Sequence, residues 1–394
     1  MDPFIDPDAL DPAHPLTPRK LENYHRACAA YAARGEVVRA LPSKLTLQTT
    51  ERCNLACPHC QLRPTRKRLS MPWSVVERVE PQLFPDLIEL HPTNLGEPFV
   101  WPRFRQLCQR LVEYGVLLDL TTNGTMLTPE RVEWIAPVVR EVKVSFDGAT
   151  APTFERWRRG ACFSAVCENV RGLAERLARV RVRRPIVALQ MTLMKSNFVE
   201  LPRLVRLAAR LGAQRVKAYH LFSFSAAMDT ESLMPDLEPY ERVLEAALAE
   251  GAAQRVDLQL AEPALDRSDP ITQRLLACQL PWHEAWIDVD GAVLPCHSHG
   301  GEVAGSVGAD AFEGAWNGPL YRHVRAGLAA GDARWRCGSC GMNLAKEAEH
   351  ERVPYDPASF LHGAHVASAG HPAGIRWSGR MRPFDLDGRR SNAS

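Results

Sequence analysis

Residues 48–61 read QTTERCNLACPHCQ, with Cys53, Cys57 and Cys60 separated by three residues and then two. The preceding run, Lys44–Thr50, is β-prone, so the thiols sit on a loop that leaves a strand. Thiolates are soft ligands that bind zinc or iron–sulfur clusters. Structural zinc closes its shell with four ligands, usually from two paired C-x-x-C knuckles. Here one loop provides three cysteines, and His59 between two of them must bend back sharply to act as a fourth ligand. A four-iron cluster on three thiolates keeps one iron free for a small chelator, and three ligands fit that cluster better than zinc.

The background is that of an ordinary globular protein. With 394 residues, 45% hydrophobic and 24% charged, the chain can bury a core in about two or three domains. Basic residues number 48 against 46 acidic, a net charge of +2, which predicts no general attraction to nucleic acid or to an anionic membrane. The N-terminus MDPFIDPDALDPAHP is acidic and proline-rich, unlike a secretory signal. No uncharged apolar run approaches the about 18 residues of a membrane span, so a cytoplasmic protein is expected. Eleven cysteines, an odd number in a chain too large to need staples, point to metal or catalysis rather than cross-links.

From residue 44 short β-prone runs alternate with helical stretches. Strands are predicted at Lys44–Thr50, Leu87–Pro92, Leu117–Thr122, Glu141–Phe146, Ile186–Leu193 and Arg215–Phe222, with helices near 73–83, 101–114, 128–137, 165–179 and 198–211. The last helix carries the clearest signals: Asn197 as cap, Pro202 in the early turns, an apolar face through Leu201, Leu204, Val205, Ala208 and Leu211, and Gly212 as a left-handed stop. Such alternation implies a parallel sheet with helices outside. Six units make a curved, open barrel of right-handed crossovers. Ligands gather at the carboxyl ends of its strands, where the cysteine cluster, NLGEP (Asn94 to Pro98), TTNGT and SFDG all fall.

The pattern C-x-x-x-C-x-x-C after the first strand of a partial barrel resembles the radical S-adenosylmethionine (SAM) superfamily, over roughly residues 44–225. The resemblance implies a [4Fe-4S] cluster on Cys53, Cys57 and Cys60, its open iron chelated by SAM. An electron from that cluster would cleave SAM to methionine and a 5′-deoxyadenosyl radical, which abstracts hydrogen from an unactivated carbon. Gly96, Glu97 and Pro98 resemble the motif that holds the SAM amino group. Ser145 resembles the family's polar contact to the ribose or methionine carboxylate, with Gln190 an analogue on the fifth strand. Asn123 joins this set, although Asn-Gly is also a common turn. His59 stands where the family usually has an aromatic residue against the adenine.

A second cysteine group follows. Ala285–Val289 and Ala292–Pro295, joined by Asp290–Gly291, read as a β-hairpin, with Cys278 before it, Cys296 at its end and Cys337 and Cys340 as a later C-x-x-C knuckle. Four such thiols can close a zinc site. Their spacing is similar to the twitch domain, the shortened form of the SPASM domain, which implies one auxiliary [4Fe-4S] cluster with four protein ligands suited to electron transfer. No cysteine follows Cys340, so a second auxiliary cluster is not expected. The chain thus divides into an N-terminal extension (1–43), a partial (β/α)6 TIM-type barrel (44–225), a connecting segment (226–277), a small α+β cluster-binding domain (278–345) and a tail (346–394), partly disordered or a loose cap.

Cys28, Cys108, Cys162 and Cys167 remain, and buried inert thiols are the expected reading for those in the barrel wall. The basic stretch Arg63 to Arg68 is a solvated loop or a contact for an acidic reductant of the flavodoxin or ferredoxin type. The leading expectation for the reaction is oxidation of a small alcohol such as a sugar or aminocyclitol, with the auxiliary cluster taking the second electron. The alternatives are maturation of a ribosomally made peptide by cross-linking or residue oxidation, and epimerisation with a cysteine as hydrogen donor. About 43 residues precede the first strand, few for a leader-binding domain with its own core. A non-enzymatic electron carrier would ligate its clusters fully, which the three-cysteine loop argues against.

Overall fold

The computed structural model describes residues 16–60, 68–180, 185–221, 226–233, 238–261, 278–296, 302–308 and 311–330, together with the short strand 366–367. Helix α1 (Pro18–Ala32) leads into strand β1 (Lys44–Leu47), followed by α2 (Trp73–Leu83), β2 (Glu89–His91), α3 (Phe104–Tyr114), β3 (Leu117–Thr122), α4 (Pro129–Ile135), β4 (Val139–Ser145), α5 (Ala151–Trp157), α6 (Phe163–Leu177), β5 (Ile186–Leu193), α7 (Leu201–Leu211) and β6 (Arg215–His220). All six strands pair in parallel in sequence order.

The sheet is larger than six strands. After α8 (Glu238–Gln254), strand β7 (Asp257–Ala261) pairs in parallel with β6. At the opposite edge, after the helical turn α9 (Leu280–His283), β8 (Glu284–Ile287) pairs in parallel with β1, Lys44 opposite Glu284 and Leu47 opposite Ile287. The stretch read as a connecting segment with a helical run at Tyr240–Glu250 thus holds that helix and a seventh strand, and the predicted hairpin strand is also the eighth parallel one. β8 turns through Gly291 (φ +91) into antiparallel β9 (Ala292–Leu294), then β10 (Gly305–Ser306), α10 (Phe312–Trp316) and α11 (Pro319–Ala330). The hairpin is therefore part of the barrel's own sheet.

Alternation along the strands separates two faces. Val142 and Val144 join the apolar layer under the helices, as do Leu204, Val205, Ala208 and Leu211 of α7. Gly212 ends α7 in the left-handed region at φ +78, and Pro202 lies in its first turn. Asn197 does not cap this helix: its side chain donates to Asp147 O and Thr192 O and accepts from Met194 N at 2.7 Å. The buried backbone of two neighbouring loops outcompetes the helix end for it. The inward face carries ion pairs: Lys44–Glu89 (3.2 Å), Arg140–Glu89, Lys143–Asp119 (2.7 Å), Lys217–Glu141 (2.8 Å) and Arg215 with both Glu141 and Asp257.

The N-terminal segment braces this sheet against the hairpin side. Tyr24 and Ala27 of α1 pack with Trp282, Val324 and Leu328, while Lys20 donates to the carbonyls of Tyr114 and Gly115 that end α3. Asn317 pins Val38 through both its N–H and C=O, and Trp316 Nε1 donates to Ala40 O. Among the spare thiols, Cys108 and Cys167 are buried as expected, but Cys162 is exposed just before α6 and Cys28 is half-buried on α1. Leu204 is fully buried; Leu204→Ala is expected to destabilise the chain by about 2–5 kcal/mol, read from the shift of its urea unfolding midpoint.

Candidate active site

The carboxyl ends of β1, β2, β3 and β4 converge through a few buried side chains. Gln48, one residue past β1, holds the loop after β2: its Oε1 accepts from Asn94 N (2.8 Å) and Leu95 N (3.0 Å), and its Nε2 donates to Leu95 O (2.7 Å). Gly96 then presses its backbone against the segment leading to Cys53. It adopts φ +91, and a Cβ there would stand 2.4 Å from Thr50 O and 2.8 Å from Arg52 O. Glu97 N donates to Arg52 O at 2.8 Å. Only glycine permits this approach.

Glu97 is 1% exposed. Its carboxylate accepts from Thr122 Oγ1 (2.8 Å) and Asn123 N (2.7 Å), tying the loop after β2 to that after β3. Burial pushes its pKa up to about 7 against those hydrogen bonds. Pro98 opens a 3-10 turn that Glu97 caps. Asn123 donates to Asn54 Oδ1 (2.8 Å), inside the cysteine loop, and approaches Cys53 Sγ at 3.8 Å. Gly124 has φ +77, and a Cβ there would meet Val144 at 2.7 Å, so the Asn-Gly turn is both turn and contact.

Cys53 and Cys57 are half-buried and Cys60 is exposed. Burial pushes the Cys57 thiol up to about 11 and raises Cys53 as well, Cys57 also feeling Cys53 and Cys60, and Cys53 feeling Cys60. Such thiols stay protonated at neutral pH unless a metal supplies positive charge. Donors surround them: Leu55 N at 3.4 Å from Cys53 Sγ and Arg158 Nη1 at 4.0 Å from Cys57 Sγ. Among the described residues no three Cys, His, Asp or Glu side chains are arranged to hold a single ion. Three thiols on one loop, two of them with N–H donors at their sulfurs, fit a cluster.

Ser145 ends β4 directly opposite Gln190 of β5, and Phe146 N donates to Gln190 O at 2.6 Å. His59 lies at the rim's wall: its Nε2 is 3.1 Å from Asp147 Oδ2, and its ring stands edge-on to Trp157. Asp147 is fully buried and also pairs with Arg158 Nε at 2.6 Å. Burial alone would raise its carboxyl, yet Arg158 and His59 hold it at about 2. Gln48, Asn54 and Arg158 gave no motif signal, while Asp147 sat unassigned in SFDG.

Residues 47–208 match the Radical SAM superfamily and residues 278–341 the SPASM iron–sulfur cluster-binding domain. The chain carries a radical SAM core followed by a SPASM domain. A radical SAM core binds a [4Fe-4S] cluster and SAM, and the SPASM match indicates an auxiliary iron–sulfur centre.

The chain is similar to three relatives over different lengths. It is 28% identical to the mycofactocin maturase MftC of Mycobacterium tuberculosis, over 82% of this chain and 79% of that one. It is 27% identical to the PqqA peptide cyclase of Gluconobacter oxydans, over 65% and 70%. It is also 27% identical to the tungsten-containing aldehyde ferredoxin oxidoreductase cofactor-modifying protein of Pyrococcus furiosus over 45% of this chain, spanning about half (51%) of that protein. Its fold resembles that of Streptococcus suis SuiB bound to S-adenosylmethionine, with a TM-score of 0.59 at 17% identity over 78% of this chain and 72% of SuiB.

Cys278 and Cys296 are half-buried, whereas Cys337, Cys340, nearly all of the basic stretch Arg63 to Arg68, residues 262–277 and the tail apart from 366–367 lie outside the described residues. Cys278 precedes β8 and Cys296 follows the antiparallel β9, so both stand at the amino end of the parallel strands. Cys53 follows β1 at the carboxyl end. The four residues of β8 alone span about 13 Å at ~3.3 Å per residue.

The raised pKa of Glu97 gives a stability term that is fully present below about 4.5 and lost as pH rises through about 7. Glu97→Gln keeps the shape without the charge. Wild type should lose up to ~3 kcal/mol relative to that variant between pH 4.5 and 7, read by denaturant unfolding of the cluster-free protein at both pH values.

Proposed function

We propose that this radical SAM protein is a maturase that oxidises or cross-links a residue of a peptide substrate. The observation carrying this is the alignment with a maturase over about four-fifths of both chains, joined by a peptide cyclase matched over two-thirds. The oxidation of a small sugar or aminocyclitol, first expected from the single auxiliary cluster, has less support than its peptide alternative. Epimerisation needs a hydrogen donor inside the barrel. Cys28, Cys108, Cys162 and Cys167 all lie on or beside helices rather than on the strands' inward face.

In this reading Cys53, Cys57 and Cys60 hold the first cluster, and Cys278, Cys296, Cys337 and Cys340 hold the auxiliary one. When bound, the cluster and SAM together supply hydrogen-atom abstraction from an unactivated carbon, and the auxiliary cluster a sink for an electron. The backbone of Gly96, Glu97 and Pro98, with Asn123, Ser145 and Gln190, binds SAM around the rim, and His59 closes one wall. Glu97 serves by holding the loops in register, since its carboxylate is already taken by Thr122 and Asn123. Electrons come from a reductant of the flavodoxin or ferredoxin type. Among the described residues no helix is long and apolar enough to cross a membrane.

The test is anaerobic incubation of the reconstituted chain with SAM, reductant and peptides encoded beside its gene. A peptide mass lowered by a whole number of hydrogen pairs, with 5′-deoxyadenosine formed alongside, is expected; modification of a small alcohol instead would overturn the peptide reading. The Cys53→Ala, Cys57→Ala, Cys60→Ala chain should form no 5′-deoxyadenosine. Wild type should hold about eight irons, two four-iron clusters; about four irons with one zinc would refute the auxiliary assignment.

A further inference from the structure

Among the described residues, buried guanidinium groups mostly face carboxylates: Arg140 pairs with Glu89, Arg158 with Asp147, and Arg215 with Glu141 and Asp257. Arg325, on α11, is fully buried, yet among the described residues it has no carboxylate partner. Its Nε donates to Pro281 O (2.8 Å), and its Nη1 donates to Glu36 O (3.0 Å) and Asn317 Oδ1 (3.1 Å). Its Nη2 is buried with no partner among the described residues. The group lies 4.6 Å from the Trp316 ring centroid and 5.1 Å from that of Tyr321. Cation–π contacts and backbone carbonyls soften this burial, but a buried charge without a counter-ion is still costly, because its hydration is lost.

The surroundings indicate the missing anion. Pro281 lies three residues past Cys278, and Tyr321, beside Arg325, donates to Leu294 O, two residues before Cys296. Arg325 thus bonds directly to the backbone just past Cys278, and through the Tyr321 ring it adjoins the backbone that leads to Cys296. A four-iron cluster on four thiolates carries net negative charge, which grows by one on reduction. A nearby buried cation stabilises the reduced form more than the oxidised.

We propose that Arg325 is a positioning residue that supplies the buried counter-charge of the auxiliary cluster on Cys278 and Cys296 and raises that cluster's reduction potential. The inference rests on the ligand assignment above. The test uses the full-length Cys53→Ala, Cys57→Ala, Cys60→Ala chain, reconstituted with iron and sulfide, so that only the auxiliary signal is present in an EPR-monitored redox titration. Arg325→Gln should lower the reduced-to-oxidised ratio at fixed ambient potential at least tenfold, about 59 mV for one electron, and Arg325→Lys should recover most of that shift. Asn317→Asp sets a carboxylate against the guanidinium without changing side-chain size, and should shift the potential in the same direction. If Arg325→Gln fails to retain iron, Asn317→Asp decides the question.

A full iron load with the same potential in the Arg325→Gln and Asn317→Asp chains would overturn the proposal while leaving the cluster in place. A parent chain with no auxiliary signal would instead remove the cluster assignment, and the proposal with it.

Discussion

A single buried carboxylate organises the rim. Glu97 is withdrawn from water and answers to three N–H or O–H donors from two loops, Thr122, Asn123 and, more weakly at 3.4 Å, Phe99. Left unpaired at that depth, a carboxylate would cost far more than the hydrogen bonds of an exposed loop repay. The chain behind β2 therefore has one low-energy arrangement. That arrangement forces Gly96 into contact with Thr50 O and Arg52 O, and so sets where the segment entering Cys53 begins. Asn123, fixed by the same carboxylate through its N–H, then reaches back to Asn54. The cysteine loop is thus gripped from both sides by residues that are not ligands.

Below the rim the barrel interior solves a different problem. Its inward strand positions carry Lys44, Glu89, Asp119, Glu141, Lys143, Arg215, Lys217 and Asp257, joined by Arg140 where the β3–β4 register shifts, and these charges pair at hydrogen-bond distance. Buried ion pairs seldom add net stability over a well-packed apolar core, but removing one partner is costly. Such a floor resists register slippage, because a one-residue shift would turn every charge into the helix layer. It also keeps the interior polar up to the level of Ser145 and Gln190, where an apolar floor would have had no counterpart to the polar rim.

Much of this could be read in the sequence. The helix at 73–83 and the strands at 117–122 and 186–193 fall where local pattern places them, because their apolar periodicity and flanking turns agree. Gly96 and Gly124 were visible as motif glycines, and both occupy left-handed conformations that a side chain would block. Other features were not legible, for identifiable reasons. β7 is a five-residue run whose identity as a strand depends on β6 lying beside it. β8 reads locally as half of a hairpin, and its parallel partner lies some 240 residues away at Lys44. Asn197 looked like a helix cap, but its amide is worth more to the buried backbone of Asp147 and Thr192. Arg158 and Arg325 have no local signature at all, since what distinguishes them is the charge, or lack of it, that tertiary contact brings opposite.

The long-range pairing of β8 with β1 also bears on how the two cysteine groups relate. Were the hairpin a separate module on a linker, the distance between the groups would vary with hinge motion. Here backbone hydrogen bonds run directly between them, Gln48 N to Ile287 O at one end and Ser43 N to His283 O at the other. The bracket from Gly35 to Leu41, held by Trp282, Trp316, Asn317 and Asn23, closes the same junction from outside. In the proposed reading an electron passes between the two groups, and a sheet that holds its two ends at fixed spacing leaves local charge as the remaining variable. At the carboxyl end the buried guanidinium of Arg158 is answered by Asp147. At the amino end the described residues leave Arg325 unbalanced, and the asymmetry between the two ends follows from where the carboxylates were placed.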